Sequence, residues 1–224
     1  MKKKDSKIFL QIYKKFLNYL WLRPETAITQ SIRAIDFRNL VYKKINTKQK
    51  ILDLSCGDGI FTFIALGGQL DSSFDSYKSI MNKKRSARFD AFNYYDKNFK
   101  IKVVKKSDYK IDTGTDWKIN LLKKSKHLKL YKNLLLQNNE KKLSLENDYF
   151  DLAYSNSAYW VKDIKKHLTE IKRTTKQNGY IYLHMKFKDT YIATLIKNQT
   201  KINFGSKFEK IIDGGRYETW KGLK

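Results

Sequence analysis

The chain has 224 residues, with 47 Lys and Arg against 22 Asp and Glu and a formal net charge of +25. That length suits one domain with a full core, or one domain plus a small appendage, and 41% hydrophobic with 14% aromatic residues excludes a chain too polar to fold. A single cysteine, Cys56, excludes an internal disulfide and a cysteine-based zinc cluster, and fits a reducing compartment.

The basic balance invites a nucleic-acid partner, because Lys and Arg neutralise phosphates and release counterions. Only seven of the 47 basic residues are Arg, the residue suited to bidentate contacts. The lysines lie along nearly the whole chain. A solvated basic surface is therefore the favoured expectation and nucleic acid the second. No segment reaches ~18 consecutive apolar residues, and no small-residue cleavage site follows the basic N-terminal head. The expectation is a cytoplasmic protein without a transmembrane segment.

In chain order, Ile8, Phe9, Ile12, Tyr13, Phe16, Leu17 and Leu20 recur at helical spacing, which predicts an amphipathic helix. It is expected to pack over the core; peripheral contact with an anionic membrane is the alternative. Arg23-Pro24-Glu25 breaks it and starts a second helix running to about Lys44. Residues 1–48 read as an N-terminal helical cap and residues 49–224 as an α/β domain.

From Lys50 the pattern alternates. "KILDLS" predicts a buried strand, "GIFTFIAL" a helix, "YKIDTGTD" a second strand, "KINLLKKSKHLKLY" a helix and "KNLLLQN" a third strand. "YFDLAYSNS" predicts a fourth strand, "VKDIKKHLTEIKRTTKQNG" a helix ending at Gly179, and "YIYLHMKF" a fifth strand. Strands alternating with helices imply a parallel sheet with helices on both faces. About forty extra residues, roughly 67–109, interrupt the rhythm, too many for an ordinary connection and too aromatic for a linker. They predict an ordered insertion between the first helix of the α/β unit and its second strand.

In a parallel sheet, ligands sit beyond the carboxyl ends of the strands. Gly57 and Gly59 in "ILDLSCGDG" allow close backbone approach there, and the following helix offers free N–H groups. Asp116 in "IDTGTDW" ends the second strand, where a carboxylate can accept both hydroxyls of a ribose. A dinucleotide-binding dehydrogenase would need a third glycine at the sixth position of its fingerprint. Thr62 follows three residues after Gly59 instead, and the acid Asp53 precedes the turn.

These stretches resemble the class I S-adenosylmethionine-dependent methyltransferases, in particular the small-molecule, ubiquinone-biosynthesis-like branch, over about residues 50 to 187. "ILDLSCGDG" is similar to the family's first motif and "GTDWKINLLKKSK" to its second. "FDLAYSNSAYWVKDIKKHLTEIKRTTKQNGYIYLH" is similar to its fourth strand, following helix and fifth strand. The resemblance implies a Rossmann-like sheet and S-adenosylmethionine as cofactor, held by Asp53, Gly57, Gly59, Asp116, Asn139 and Asn156. Asn139 stands where the family often has an acid against the adenine amine, and Ser55 where many members have a further glycine. Ser55 is expected to turn its side chain away from the ligand. The sheet's usual final strand pair is expected to be reduced or missing, because the tail after Phe187 is short.

Methyl transfer at a sulfonium carbon is a single displacement, so alignment of the reactants can supply ~7 kcal/mol or more of barrier reduction. A base is needed only where the acceptor must lose a proton. Asn156 and Tyr159 are the candidates to face the acceptor, and Trp160 is expected in the core. His127, His167 and His184 share no spacing, and each is expected as a surface or core histidine and not as a base; His184, near the far half of the fifth strand, is the least implausible base of the three. No His or acid pair stands at metal-ligand spacing, so no metal is expected. The acceptor class expected is a small polar or lipid- or sugar-linked molecule, consistent with a weaker resemblance of "WLRPE" and "GGQLDSSFDSY" to proteins of bacterial surface-sugar biosynthesis. The alternatives are an RNA methyltransferase and a non-catalytic binding protein with the same fold. Asp71, Asp75, Tyr77, Asp90, Tyr94 and Tyr95 give the insertion the polarity and stacking surface of an acceptor cover.

Overall fold

The computed structural model describes residues 3–19, 24–74, 93–95 and 100–185. Its centre is a five-stranded sheet of β1 (Ile51–Leu54), β4 (Ile111–Asp116), β5 (Tyr131–Leu136), β6 (Phe150–Ser155) and β7 (Thr175–Leu183). The strand order is β5-β4-β1-β6-β7, and every neighbouring pair is parallel. This is a Rossmann-like arrangement, with the chain returning to the middle strand and then growing the sheet on its other side. β1 and β4 are buried at every position, as expected of strands covered on both faces.

Helices α1 (Lys3–Tyr19) and α2 (Pro24–Lys44) precede the sheet. Pro24 opens α2, where its missing N–H costs nothing. The apolar stripe of α1 packs inward through Ile12 and Phe16, and α2 contributes Ala27, Ala34, Phe37 and Val41 to the same core. Phe37 stacks on Tyr154 of β6 with ring centroids 4.0 Å apart. Burial of each such ring contributes about 1.5–3 kcal/mol. The cap thus shares one continuous core with the sheet, and that core includes Ile51, Ile111, Leu152 and Phe63. On the other face Leu52 and Leu54 of β1 pack against Ile171 of α5 (Ile164–Thr174). No helix among the described residues is long and apolar enough to cross a membrane.

α3 (Ile60–Ala65) follows β1, and α4 (Ile119–Lys126) links β4 to β5. Between α3 and β4 a short antiparallel pair, β2 (Gln69–Leu70) with β3 (Val103–Lys105), closes the base of the extra segment. Most of that segment, including Asp75, Tyr77 and Asp90, lies outside the described residues, as do Leu20 and the tail after Phe187. Tyr95 is described, and its hydroxyl meets His127 Nε2 at 3.2 Å.

The helix expected to reach Gly179 ends at Thr174, and β7 begins at Thr175, well before the expected "YIYLHMKF". Asp163 caps the helix start by accepting from the Lys166 N–H. At the other end the hydroxyls of Thr174 and Thr175 bond back to the carbonyls of Glu170 and Ile171, and two β-branched residues favour the strand. Thr175 pairs with Phe150 and Tyr180 with Leu152, so residues 176–179 bulge opposite Asp151 alone. Asn178 at φ 73 takes the left-handed turn that this bulge needs.

Candidate functional site

The turn after β1 is built from inside. Asp53 is buried on β1, and its Oδ2 accepts from Thr62 Oγ1 at 2.6 Å and Tyr131 OH at 2.7 Å. β1, α3 and β5 are thereby tied to one carboxylate. Burial pushes the Asp53 carboxyl up to about 6. Its oxygen serves these internal donors, and Asp53 does not line the cleft described below. Asp58 continues the scaffold by capping the Ile60 N–H through Oδ1 and accepting from Tyr19 OH at 2.9 Å, which draws α1 onto the turn.

The backbone of the turn is left-handed at Ser55, Gly57 and Gly59. The two glycines are required for different reasons. A Cβ on Gly57 would meet nothing within 4 Å, because that side is open cleft. A Cβ on Gly59 would sit 2.8 Å from Tyr131 Cε2, so internal packing by itself requires a glycine there. Ser55 also departs from expectation. Its side chain turns toward the cleft, where its Oγ accepts from Asn139 Nδ2 at 2.6 Å.

Asp116 ends β4 beside this turn. Its Oδ2 accepts from the Gly57 N–H at 3.0 Å and its Oδ1 from the Lys118 N–H at 2.8 Å. Burial pushes its carboxyl up to about 6, while these two N–H groups act the other way. Each oxygen keeps a further lone pair for a ligand hydroxyl.

The cleft, about 240 Å³, lies at the carboxyl ends of β1, β4 and β6. Its floor is Ser55, Gly57 and Asp116, its walls are Trp117, Leu121, Trp160 and Val161, and Asn139 stands at its far side. Asn139 is buried, and its Oδ1 has no hydrogen-bond partner. Glu140 accepts from the Lys162 and Asp163 N–H groups, pinning the Trp160 segment over the cleft. Trp160, expected in the core, therefore lines the ligand space. Trp117 was not singled out from the sequence, although its position directly after the strand-ending Asp116 was the available signal.

Asn156 and Tyr159 lie elsewhere. Asn156 donates to Gln30 Oε1 at 3.0 Å and accepts from Arg33 Nη1 at 3.3 Å, joining the segment after β6 to α2. Arg33 also stands over the Tyr159 ring, 5.8 Å from its centroid. Neither residue lines the cleft. His167 is fully buried on α5 and its ring is pushed down to about 4 by desolvation, with the Asn139 backbone acting the other way. Among the described residues no three His, Cys, Asp or Glu side chains gather as a metal site.

Residues 102–183 match the sequence family described as "Methyltransferase domain". That match covers the stretch from β3 to the end of β7, and the strand order and the turn after β1 are those of a Rossmann-like α/β sheet. No curated protein matches the sequence. Among solved structures, YcgJ of Bacillus subtilis is 13% identical, with a TM-score of 0.45 over 75% of this chain and 58% of its own. A methyltransferase of Geobacter sulfurreducens in complex with S-adenosyl-L-homocysteine is 12% identical, with a TM-score of 0.42 over 73% and 54% of the two chains. A third, from Aquifex aeolicus, is 17% identical, with a TM-score of 0.39 over 70% and 71%. The chain spans less than two thirds of the length of the first two.

Proposed function

We propose that the protein transfers a methyl group from S-adenosylmethionine to a small polar or lipid- or sugar-linked acceptor, in the cytoplasm. The observation that carries this reading is one cleft holding a strand-ending carboxylate, Asp116, and an unpartnered buried amide oxygen, Asn139 Oδ1. The cofactor fits that donor set. Asp116 would accept the ribose hydroxyls, Asn139 Oδ1 would accept the adenine amine, Trp117 and Trp160 would flank the base, and Gly57 would leave room for the chain beyond the ribose. When bound, the cofactor supplies an activated methyl group. Asp53 and Gly59 support the turn from beneath it.

A compact acceptor is favoured by the way α1 and α2 bear on this end of the sheet. Tyr19 reaches the turn and Arg33 with Gln30 reaches Asn156, so helices flank the space beyond β6 where a long duplex would have to pass. The assignment to the ubiquinone-biosynthesis-like branch rests on motif resemblance. Calorimetric titration with S-adenosylhomocysteine tests the reading directly, followed by an acceptor screen that measures its release from S-adenosylmethionine. Saturable binding without turnover of any acceptor would favour a binding protein, and no binding would sink the proposal.

A further inference from the structure

Beside the cleft, at the carboxyl ends of β6 and β7, a second group of polar atoms lacks partners. His184 directly follows β7, and its N–H donates to the Ser155 carbonyl at 3.0 Å. Its ring stands edge-on to three aromatic rings, Tyr182 at 5.1 Å, Tyr154 at 5.9 Å and Phe61 at 6.4 Å between centroids. Both imidazole nitrogens are buried without a hydrogen-bond partner, and so is the Tyr154 hydroxyl. Leaving such groups unsatisfied forfeits their hydration without a replacement bond, and native structures rarely tolerate it without a reason. Three orphan atoms from two neighbouring strands meet at the rim where a parallel sheet binds its ligands.

The neighbourhood also fixes the ring's protonation. Arg33 and Asp36 come from α2, Tyr154 from β6 and Tyr182 from β7; burial first, then the Arg33 charge, lowers His184 to about 4. The imidazole is neutral at pH 7, with one nitrogen free to accept.

We infer that His184 is the proton acceptor for a hydroxyl-bearing acceptor, an alcohol or phenol seated against Tyr154 and Tyr182, so that the reaction is O-methylation. The inference rests on the methyltransferase reading above. As the acceptor oxygen bonds to the methyl carbon, the carbon–sulfur bond breaks with its electron pair going to sulfur, and the hydroxyl proton passes to the imidazole. The aromatic edges keep water away and favour a flat or apolar body behind the hydroxyl. An aromatic amine, neutral at pH 7, attacks through its nitrogen lone pair and loses its proton only afterwards, so it would not need this group before attack.

The test uses the full chain with its three histidines labelled at ¹³Cε1. In the free protein the His184 signal should report a neutral ring down to about pH 5, and with S-adenosylhomocysteine present, phenol should shift the His184 signal and leave His127 unmoved. In turnover assays on a panel of alcohols, phenols and amines, His184→Gln should lower kcat toward hydroxyl acceptors about a hundred-fold, the range of general-base catalysis, with S-adenosylhomocysteine affinity unchanged. His127→Gln should leave kcat unchanged. A His184 signal silent to phenol, or full O-methylation by His184→Gln, overturns the assignment while leaving the parent reading intact. Failure of wild-type protein to bind S-adenosylhomocysteine overturns both.

Discussion

Asn139, which lines the cleft, gives its side-chain N–H to Ser55 Oγ at 2.6 Å and keeps its own Oδ1 buried and unpartnered. Ser55 thus acts as the clamp that decides which end of the amide faces a ligand. An acceptor aimed at an amine should discriminate against a carbonyl in the same place. S-inosylhomocysteine, in which a carbonyl replaces the adenine amine, should bind at least about tenfold more weakly than S-adenosylhomocysteine, since one such mismatch is worth ~1–3 kcal/mol. In Asn139→Ala the two ligands should bind alike. Equal affinity for both in the wild type would remove Asn139 from the adenine contact.

Asp116 makes the same binding depend on pH. Its carboxyl, raised to about 6 by burial, must be ionised to accept both ribose hydroxyls, so binding releases a proton whenever the free site is protonated. Affinity for S-adenosylhomocysteine should be flat above about pH 7 and fall by up to about tenfold per unit below pH 6. Asp116→Asn should bind about ten- to a hundred-fold more weakly at pH 7.5 and lose most of the slope. Calorimetry at three pH values reads both.

The two turn glycines should fail differently. Gly57→Ala faces open space and bears the cost of a left-handed alanine, about 1–2 kcal/mol, so the protein should fold with a slightly lower Tm and bind the cofactor product poorly. Gly59→Val places its side chain in Tyr131 and Leu128 and should lose the cooperative melt itself. Thermal unfolding of the two variants, followed by titration of whichever folds, separates the two roles.

His167 sets an acid limit on stability. Its folded-state value near 4 lies below the 6.5 of the unfolded chain, so the unfolded state gains the proton first as pH falls. Stability from this group is complete above pH 6.5 and is lost between there and pH 4, by up to about 3 kcal/mol. Asp53 and Asp116, raised to about 6, have the opposite sign and offset part of that loss between pH 6 and 4. His167→Leu should therefore unfold at higher urea than the wild type at pH 4.5, with a smaller gain at pH 7.5. An identical difference at both values would mean that the ring does not stay neutral.

Four lysines, Lys110, Lys126, Lys129 and Lys132, surround a hollow of about 310 Å³ that does not share a residue with the cleft. Lys110 is bonded to the Lys129 carbonyl and Lys132 pairs with Asp112, so the hollow is only partly free to hold an anion. RNA binding should accordingly be weak, unselective and lost by about 200 mM salt. Tight, sequence-selective binding that survives that salt would promote the RNA methyltransferase alternative.

What the sequence made legible follows physical range. The β1 turn, the strand-ending Asp116 and the parallel sheet were readable because short buried runs and glycines report their own surroundings. The boundary between α5 and β7 was missed because "TTKQNG" carries a helix-like polar pattern, while two threonine hydroxyls and pairing with Phe150 decide for strand. Trp160 lines the cleft and not the core, a difference the sequence does not carry, since an indole wall of a cleft and a core indole have the same local sequence. The partner that Asp53 and Gly59 share, Tyr131, is 78 residues from Asp53 in the chain, so their internal roles have no local signature. Ser55 and Asn139 meet across 84 residues, a distance no local pattern encodes.

The Asp53 knot determines the thermodynamic character of recognition. Because Thr62 and Tyr131 already hold that carboxylate from two directions, the turn acquires its left-handed shape during folding, before any ligand arrives. A nucleoside entering the cleft then meets a rigid cradle and need not order the backbone beneath it, so its binding entropy is governed by its own immobilisation and by displaced water. Tyr131→Phe, which removes one of the two ties, transfers that ordering to the binding step. It should appear in calorimetry as a more unfavourable entropy with little change in the contacts themselves.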